Sequence, residues 1–269
     1  MDLTVSVIIP TFNRREALMR AVRSCLEQTH PVTEILVCDD GSTDGSRESI
    51  VALASDRVRW VEGERAGRPA PARNRGLRAA RGEWMAFLDD DDAWFPEKLA
   101  VQFARLASSG TYAVCTNAER IVPGAGSKGT YFNHASKLLS FVDLLAENKV
   151  ISSSLLAKKE LLMKAGGFPE APEFVAIEDY ALWLRLSVFT DIFYCEDPLV
   201  AYTDSATTTL RAKQTSASHI RNVVLSDLHA WMRTRPGSLT PPQRSALVRH
   251  LRIAKRGVGS PPWEWLFIR

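Results

Sequence analysis

The chain has 269 residues, 45% of them hydrophobic and 24% charged, enough for one large α/β domain or a domain with an appendage; the composition excludes a disordered or fibrous class. No apolar run approaches the length of a bilayer crossing, which excludes a membrane-spanning reading of the sequence. The net charge of +3 hides a split: residues 205–269 sum to +9 and residues 1–204 to −6, so a basic C-terminal extension follows an acidic body.

In chain order, MDLTVSVIIP sets a short apolar run behind Asp2 and predicts a first strand rather than a secretion signal. Its core, TVSVII (4–9), is continuously apolar and β-branched, as expected of a strand buried on both faces. Asn13 is placed to cap the helix that follows, in which Leu18, Val22, Cys25 and Leu26 share a face. EILVCDD (34–40) repeats the pattern of strand then acid, and GSTDGS breaks the chain before a helix that Asp44 or Ser42 caps and that carries Ile50, Val51 and Leu53. VRWV (58–61) and WMAFL (84–88) are further strands, separated by a loop with Gly67, Pro69 and Pro71. This alternation predicts a doubly wound, mostly parallel sheet.

Beyond residue 110, YAVCT (112–116) and VISSSLLA (150–157) read as strands, and KKELLMKAG as a helix stopped by Gly166 and Gly167. EDYALWLRL (178–186) is helical; a helix near 215–233, a basic helix around 243–256 and a terminal WEWLFIR complete the chain. Cys25, Cys38, Cys115 and Cys195 are scattered without metal-binding spacing and are expected to be buried free thiols of a reducing compartment.

The densest chemistry is the run Asp89, Asp90, Asp91, Asp92 where a strand stops. Two carboxylates about 5 Å apart repel by roughly 3 kcal/mol at an effective dielectric near 20, so something must offset the run. A solvated acidic turn does so with water and counter-ions; a divalent cation shared with a phosphate-bearing ligand is the alternative. Asp39 and Asp40 end another strand, and ligands of open α/β sheets bind outside such carboxyl ends, so the two acid clusters are expected to line one site. GAGSKG (124–129) fits a dinucleotide pattern but opens into TYFNH and not into a helix, and no GxxxxGK[ST] loop occurs.

VSVIIPTFNR, VCDDGSTDGS, ARNRGLRAARGEWMAFLDDDDAWFPEKL and IEDYALWLRL, in that order, resemble the family 2 glycosyltransferases of the GT-A fold, over residues 4 to about 202. The resemblance implies a single Rossmann-like, mostly parallel sheet flanked by helices over residues 1–204, with a nucleotide-binding half (1–110) and an acceptor half (111–204), and a basic helical extension at 205–269. It implies a nucleotide-sugar donor, probed by a carboxylate that accepts the base's N3 proton and so suits a uridine or thymidine nucleotide, a UDP-sugar by preference. Inverting transfer to a hydroxyl of a glycan or lipid-linked glycan follows.

The same resemblance assigns roles. Pro10, Thr11, Phe12, Asn13 and Arg14 contact the base and ribose, with Asp39 or Asp40 as the acid on the uracil or ribose. Arg73 and Asn74 lie against the donor, and Arg73 or Arg75 pairs with the diphosphate. Asp89 and Asp91 form a DxD pair, Asp91 being the direct ligand of Mg²⁺ or Mn²⁺; Asp90 faces the sugar or solvent, and Asp92 caps a helix begun near Pro96. Asp179 is the general base beside Glu178, Trp183 belongs to the core or to a sugar-stacking wall on the acceptor side, and Gly167 lies in a loop beneath the acceptor. Many relatives carry a His shortly after the position of Tyr202; the text here is AYTDSATTT, leaving Asp204 as a substitute oxygen ligand or the metal with extra water.

Arg244, Arg249, Arg252, Lys255 and Arg256, followed by Trp263, Trp265, Leu266 and Phe267, combine cations with interfacial aromatics. They either bind a membrane surface, placing the protein peripherally on the inner face of the cytoplasmic membrane, or pack on the body with the aromatics buried or in a homodimer contact. His219 is expected on a helix surface. Nucleic-acid binding is not expected, since no aromatic stacking motif or zinc spacing accompanies the basic residues. A non-catalytic nucleotide-sugar-binding scaffold of the same fold is the alternative to an enzyme.

Overall fold

A computed structural model describes residues 3–205, 217–235 and 237–255. The N-terminal half alternates as its pattern predicts: β1 (Val5–Thr11), α1 (Arg15–Leu26), β2 (Glu34–Asp39), α2 (Ser46–Val51), β3 (Val58–Val61), α3 (Pro69–Ala79) and β4 (Trp84–Phe87). β3, β2, β1 and β4 lie side by side and parallel. Every residue of β1 is buried, and alternation sends Val5, Val7 and Ile9 to one face and Ile8 to the other. The first face packs on Leu18, Val22 and Cys25 of α1 and on Leu99, Phe103 and Leu106 of α4 (Lys98–Ser109); the second packs on Leu77 of α3. Each of these aliphatic side chains contributes about 1.5–3 kcal/mol on burial.

The second half makes the sheet mixed. β9 (Leu156–Lys158) runs antiparallel between β4 and β6 (Ala113–Val122), and β10 (Ile192–Thr203) returns parallel to β6. β5 (Ala93–Trp94), β7 (Gly126–Thr130) and β8 (Lys137–Leu139) add short antiparallel edges. α5 (Phe141–Ala146), α6 (Lys159–Lys164) and α7 (Glu178–Leu186) cover the second face. α6 stops at Gly166 and Gly167, both at positive φ. GAGSKG falls in the β6–β7 hairpin, away from any helix start.

Three local expectations change. Residues 150–157 are not one strand: Ser152–Ser154 form a 3₁₀ turn, because Ser154 Oγ bonds Ile151 O and Ser153 Oγ serves the acidic corner instead of a ladder. Asn13 does not cap α1; it sits at φ +50° with its Oδ1 accepting from Thr43 N. Asp92 does not cap α4, which starts at Lys98 behind Glu97. Asp44 serves two helix starts, accepting from Arg15 N and from Ser46 N.

α8 (Ala217–Arg233) and α9 (Pro241–Lys255) are not a detached extension. Val224, Leu225, Leu228, Trp231, Leu239 and Leu247 join the same buried cluster as Leu182 and Trp183. Arg185 donates from α7 to Ala165 O and Gly167 O and pairs with Asp227 of α8. Arg244 and Arg249 are exposed on α9 and His219 is exposed on α8. The side chains of Arg252 and Lys255, and all of Arg256, Trp263, Trp265, Leu266 and Phe267, lie outside the described residues.

Candidate active site

The carboxyl ends of β1, β2 and β4 open on a cleft of about 320 Å³, within the range of small-ligand sites. Pro10, Thr11, Phe12 and Arg14 line it from the end of β1, Asp89, Asp90 and Asp91 from the turn after β4, and Glu178 and Asp179 from the start of α7. Asp40 lines it as well, so Asp40, Asp89 to Asp91, Glu178 and Asp179 share one cavity, while Asp39 and Asp92 are not among its lining residues.

The tetra-aspartate corner is offset from within. Asp90 is buried and accepts from Thr11 Oγ1 at 2.8 Å and from Arg14 Nη1 at 3.0 Å; the same Nη1 reaches Asp91 Oδ2 at 2.7 Å. Asp92, also buried, accepts from Ser153 Oγ at 2.5 Å and from Thr203 N at 2.8 Å. Asp89 pairs with Arg73 Nη2 at 2.5 Å, while its amide donates to Ser153 Oγ. The compensation is incomplete. Burial pushes Asp90 up to about 6 against the pull of Arg14, and burial with neighbouring acids raises Asp91 and, further, Asp92.

Arg73 ties the two halves together. Its other nitrogen, Nη1, donates to Glu178 Oε1 at 2.6 Å, so one buried guanidinium joins the turn after β4 to the head of α7. Burial opposes its charge, but Asp89 and Glu178 outweigh that and hold it above its ordinary value. Glu178 Oε2 is buried without a hydrogen-bond partner. Also on the cleft wall, Arg65 stacks over the Phe12 ring at 4.0 Å, and Asp40 accepts from Ala66 N at 2.7 Å and Gly67 N at 2.8 Å.

With that geometry in place, the comparisons decide the family. Residues 6–157 match the model of glycosyl transferase family 2, more than half of the chain. The chain belongs to this glycosyltransferase family. The UDP-Glc:alpha-D-GlcNAc-diphosphoundecaprenol beta-1,3-glucosyltransferase WfgD of Escherichia coli is 32% identical over 185 residues, covering 69% of this chain and 70% of that protein. The putative teichuronic acid biosynthesis glycosyltransferase TuaG of Bacillus subtilis is 31% identical over 184 residues, covering 68% and 71%. The structure of S. aureus TarS 1–349 in complex with UDP-GlcNAc superimposes with a TM-score of 0.73 over 92% of this chain and 71% of that one, at 19% identity, which establishes the shared GT-A fold.

Several family-derived assignments change in this glycosyltransferase. Asp39 does not face the cleft; it accepts from Gly41 N and Ser42 N and shapes the turn, leaving Asp40 as the acid on the wall. Asn13 is held by the 42–43 turn and stays outside. Asn74 points away from the donor side: Nδ2 donates to Phe168 O at 2.8 Å and to Glu170 Oε1 at 2.7 Å, and Oδ1 accepts from Phe168 N. Gly167 is the other side of that clamp, and Arg75 spends its guanidinium on Asp39 O. Trp183 is fully buried against Phe87 and Phe168, a core residue rather than an acceptor wall. Asp204 is not among the cleft-lining residues and pairs with Arg120, whose Nε donates to it at 3.0 Å. Asp90 is shielded from bulk solvent and tied to Thr11 and Arg14, but it still lines the cleft.

Sequence reasoning missed Arg65, Arg68, Ile151, Ser152, Ala176 and Thr203 as cleft residues. Thr203 ends the apolar strand β10 and donates through Oγ1 to Asp91 O at 2.5 Å, a position that the strand pattern could have flagged. Ala176, a non-glycine residue at φ +66°, carries no sequence signal.

Among the described residues no group of three His, Cys, Asp or Glu is arranged to hold a metal. Mg²⁺ is usually held by one or two carboxylates with phosphate oxygens and water. Asp89 and Asp91 line the cleft, and each has one carboxylate oxygen outside its guanidinium contact, so the corner fits a cation that brings its own phosphate ligands.

Proposed function

We propose that this glycosyltransferase moves a sugar from a UDP-sugar to a hydroxyl of a lipid-linked glycan, with inversion, Asp179 acting as general base. The observation that carries the reading is the Arg73 bridge, which ties the acids after β4 to the acids that begin α7 in one cleft. Phe12, Arg65 and Asp40 would take the uridine end, and Asp89 and Asp91 the diphosphate end together with Mg²⁺ or Mn²⁺. When bound there, the cation stabilises the negative charge that grows on the leaving diphosphate.

Inversion needs a base on the face opposite the leaving group. Asp179 lines the same cleft as the acidic turn, and in this reading it takes the proton of the incoming hydroxyl as the new bond forms. Glu178, fixed by Arg73, keeps the head of α7 in register and offers its second oxygen to a hydroxyl in the cleft. The names of WfgD and TuaG place those relatives in lipid-linked glycan and teichuronic acid synthesis, which supports the acceptor class. The +9 charge of residues 205–269 and the exposed Arg244 and Arg249 support peripheral contact with an anionic membrane carrying such an acceptor. No described helix is long and apolar enough to cross a membrane.

The test is UDP release from a panel of UDP-sugars, with a GlcNAc-diphosphate-lipid acceptor and Mn²⁺, and the anomeric configuration of the product by NMR. Retained configuration would exclude the single-displacement role of Asp179, and absence of turnover with every UDP-sugar would remove the donor class.

A further inference from the structure

The acidic corner is served by two guanidinium groups in very different settings. Arg73 sits inside α3 with 4% of its side chain exposed and joins Asp89 to Glu178. Arg14 stands at the head of α1 in a non-helical backbone conformation, 36% exposed, and one nitrogen is shared between Asp90 and Asp91. A single donor thus bridges two neighbouring carboxylates, one of which, Asp91, is also one of the two acids that would hold the cation.

We propose that Arg14 is a positioning residue that holds Asp91 in the free enzyme and exchanges it for the diphosphate when nucleotide and divalent cation bind together. The inference rests on the metal-assisted reading above. Asp91 Oδ2 is engaged by Arg14 at 2.7 Å, so a cation arriving alone, even at the carboxylate's other oxygen, meets the guanidinium charge beside it and competes with a charge-assisted hydrogen bond. It gains only two protein carboxylates in return, because no third acid or imidazole is arranged beside them among the described residues.

A nucleotide changes the balance. Its diphosphate offers the displaced planar fork a bidentate partner and gives the cation its missing oxygens. Arg73 cannot make the same exchange, since leaving Asp89 would also strand buried Glu178. Cation and nucleotide are therefore thermodynamically coupled through Arg14, and the coupling is reciprocal.

The experiment is a Mn²⁺ titration of the full chain by EPR, with and without UDP, on wild type, Arg14→Ala, Arg14→Lys and the control Arg15→Ala. Arg15 is exposed on the next residue and outside the corner. Arg14→Ala is expected to bind Mn²⁺ alone about tenfold more tightly than wild type, and the enhancement of Mn²⁺ affinity by UDP is expected to shrink by a similar factor. Arg14→Lys falls between, and Arg15→Ala stays within about twofold on the same coupling scale. Unchanged or weaker Mn²⁺ binding in Arg14→Ala, an intact UDP enhancement, or an equal effect from Arg15→Ala overturns the exchange. No Mn²⁺ binding by wild type in the presence of UDP overturns the cation itself, a failure distinct from the others.

Discussion

Arg73 of α3 and Glu178 of α7, 105 residues apart, form an ion pair of 2.6 Å with both side chains at most 5% exposed. Buried pairs of this kind are weak evidence for net stability, but removing one partner strands the other. Arg73→Met is expected to destabilise the fold by about 3–5 kcal/mol, and the double variant Arg73→Met/Glu178→Leu by less than Arg73→Met alone. Chemical denaturation of the four proteins of that cycle measures the coupling; strict additivity would show that the bridge holds nothing.

Asp179→Asn should keep UDP and Mn²⁺ affinity while lowering kcat by about 10²–10⁴, the usual contribution of a general base. Calorimetry and turnover, run side by side, check both halves. A variant that turns over like wild type would remove Asp179 from the reaction.

Gly167 sits at φ +71°, and a Cβ there would come within 2.7 Å of Asn74 Oδ1. Gly167→Ala must therefore strain the backbone and disturb the clamp that holds Phe168 and Glu170. A loss of about 1–3 kcal/mol is expected, seen as a lower Tm. Asn74→Ala should cost a similar amount by leaving the Phe168 peptide without its two buried partners.

Lys98 is fully buried over the Trp94 ring, and burial pushes it down to about 7. The unfolded chain holds that proton up to about pH 10.4. Between these values the unfolded state binds more protons, so this group adds stability as pH rises and loses it as pH falls towards 7. Wild type should gain on Lys98→Met by at most about 1.4 kcal/mol per pH unit from about pH 7 to about pH 8.5. Denaturation of both proteins at several pH values reads the difference; a constant gap would mean that Lys98 titrates normally. Burial raises all four thiols, with Cys38 pushed up to about 12, so they weaken both proteins above about pH 8.5; because the Lys98 charge acts on Cys25 and Cys115, the comparison is read below that pH.

The sequence by itself determined the parallel half and the location of the acids. The continuous apolar runs in TVSVII and EILVCDD, and the acids at strand ends, are local patterns read from neighbouring residues; together with the family resemblance they brought Asp39 or Asp40, Asp89, Asp91, Glu178 and Asp179 to one site. Only the tertiary structure decided how those charges are balanced. Whether Asn74, Gly167 and Trp183 face a ligand or the core, and which guanidinium meets which carboxylate, depends on contacts between residues about a hundred positions apart in sequence. Local pattern marks which segments are strands and where they end, and their alternation with helices sets the parallel order; pairing of buried charges is set by which elements the collapsed core brings together, and no short-range periodicity encodes that.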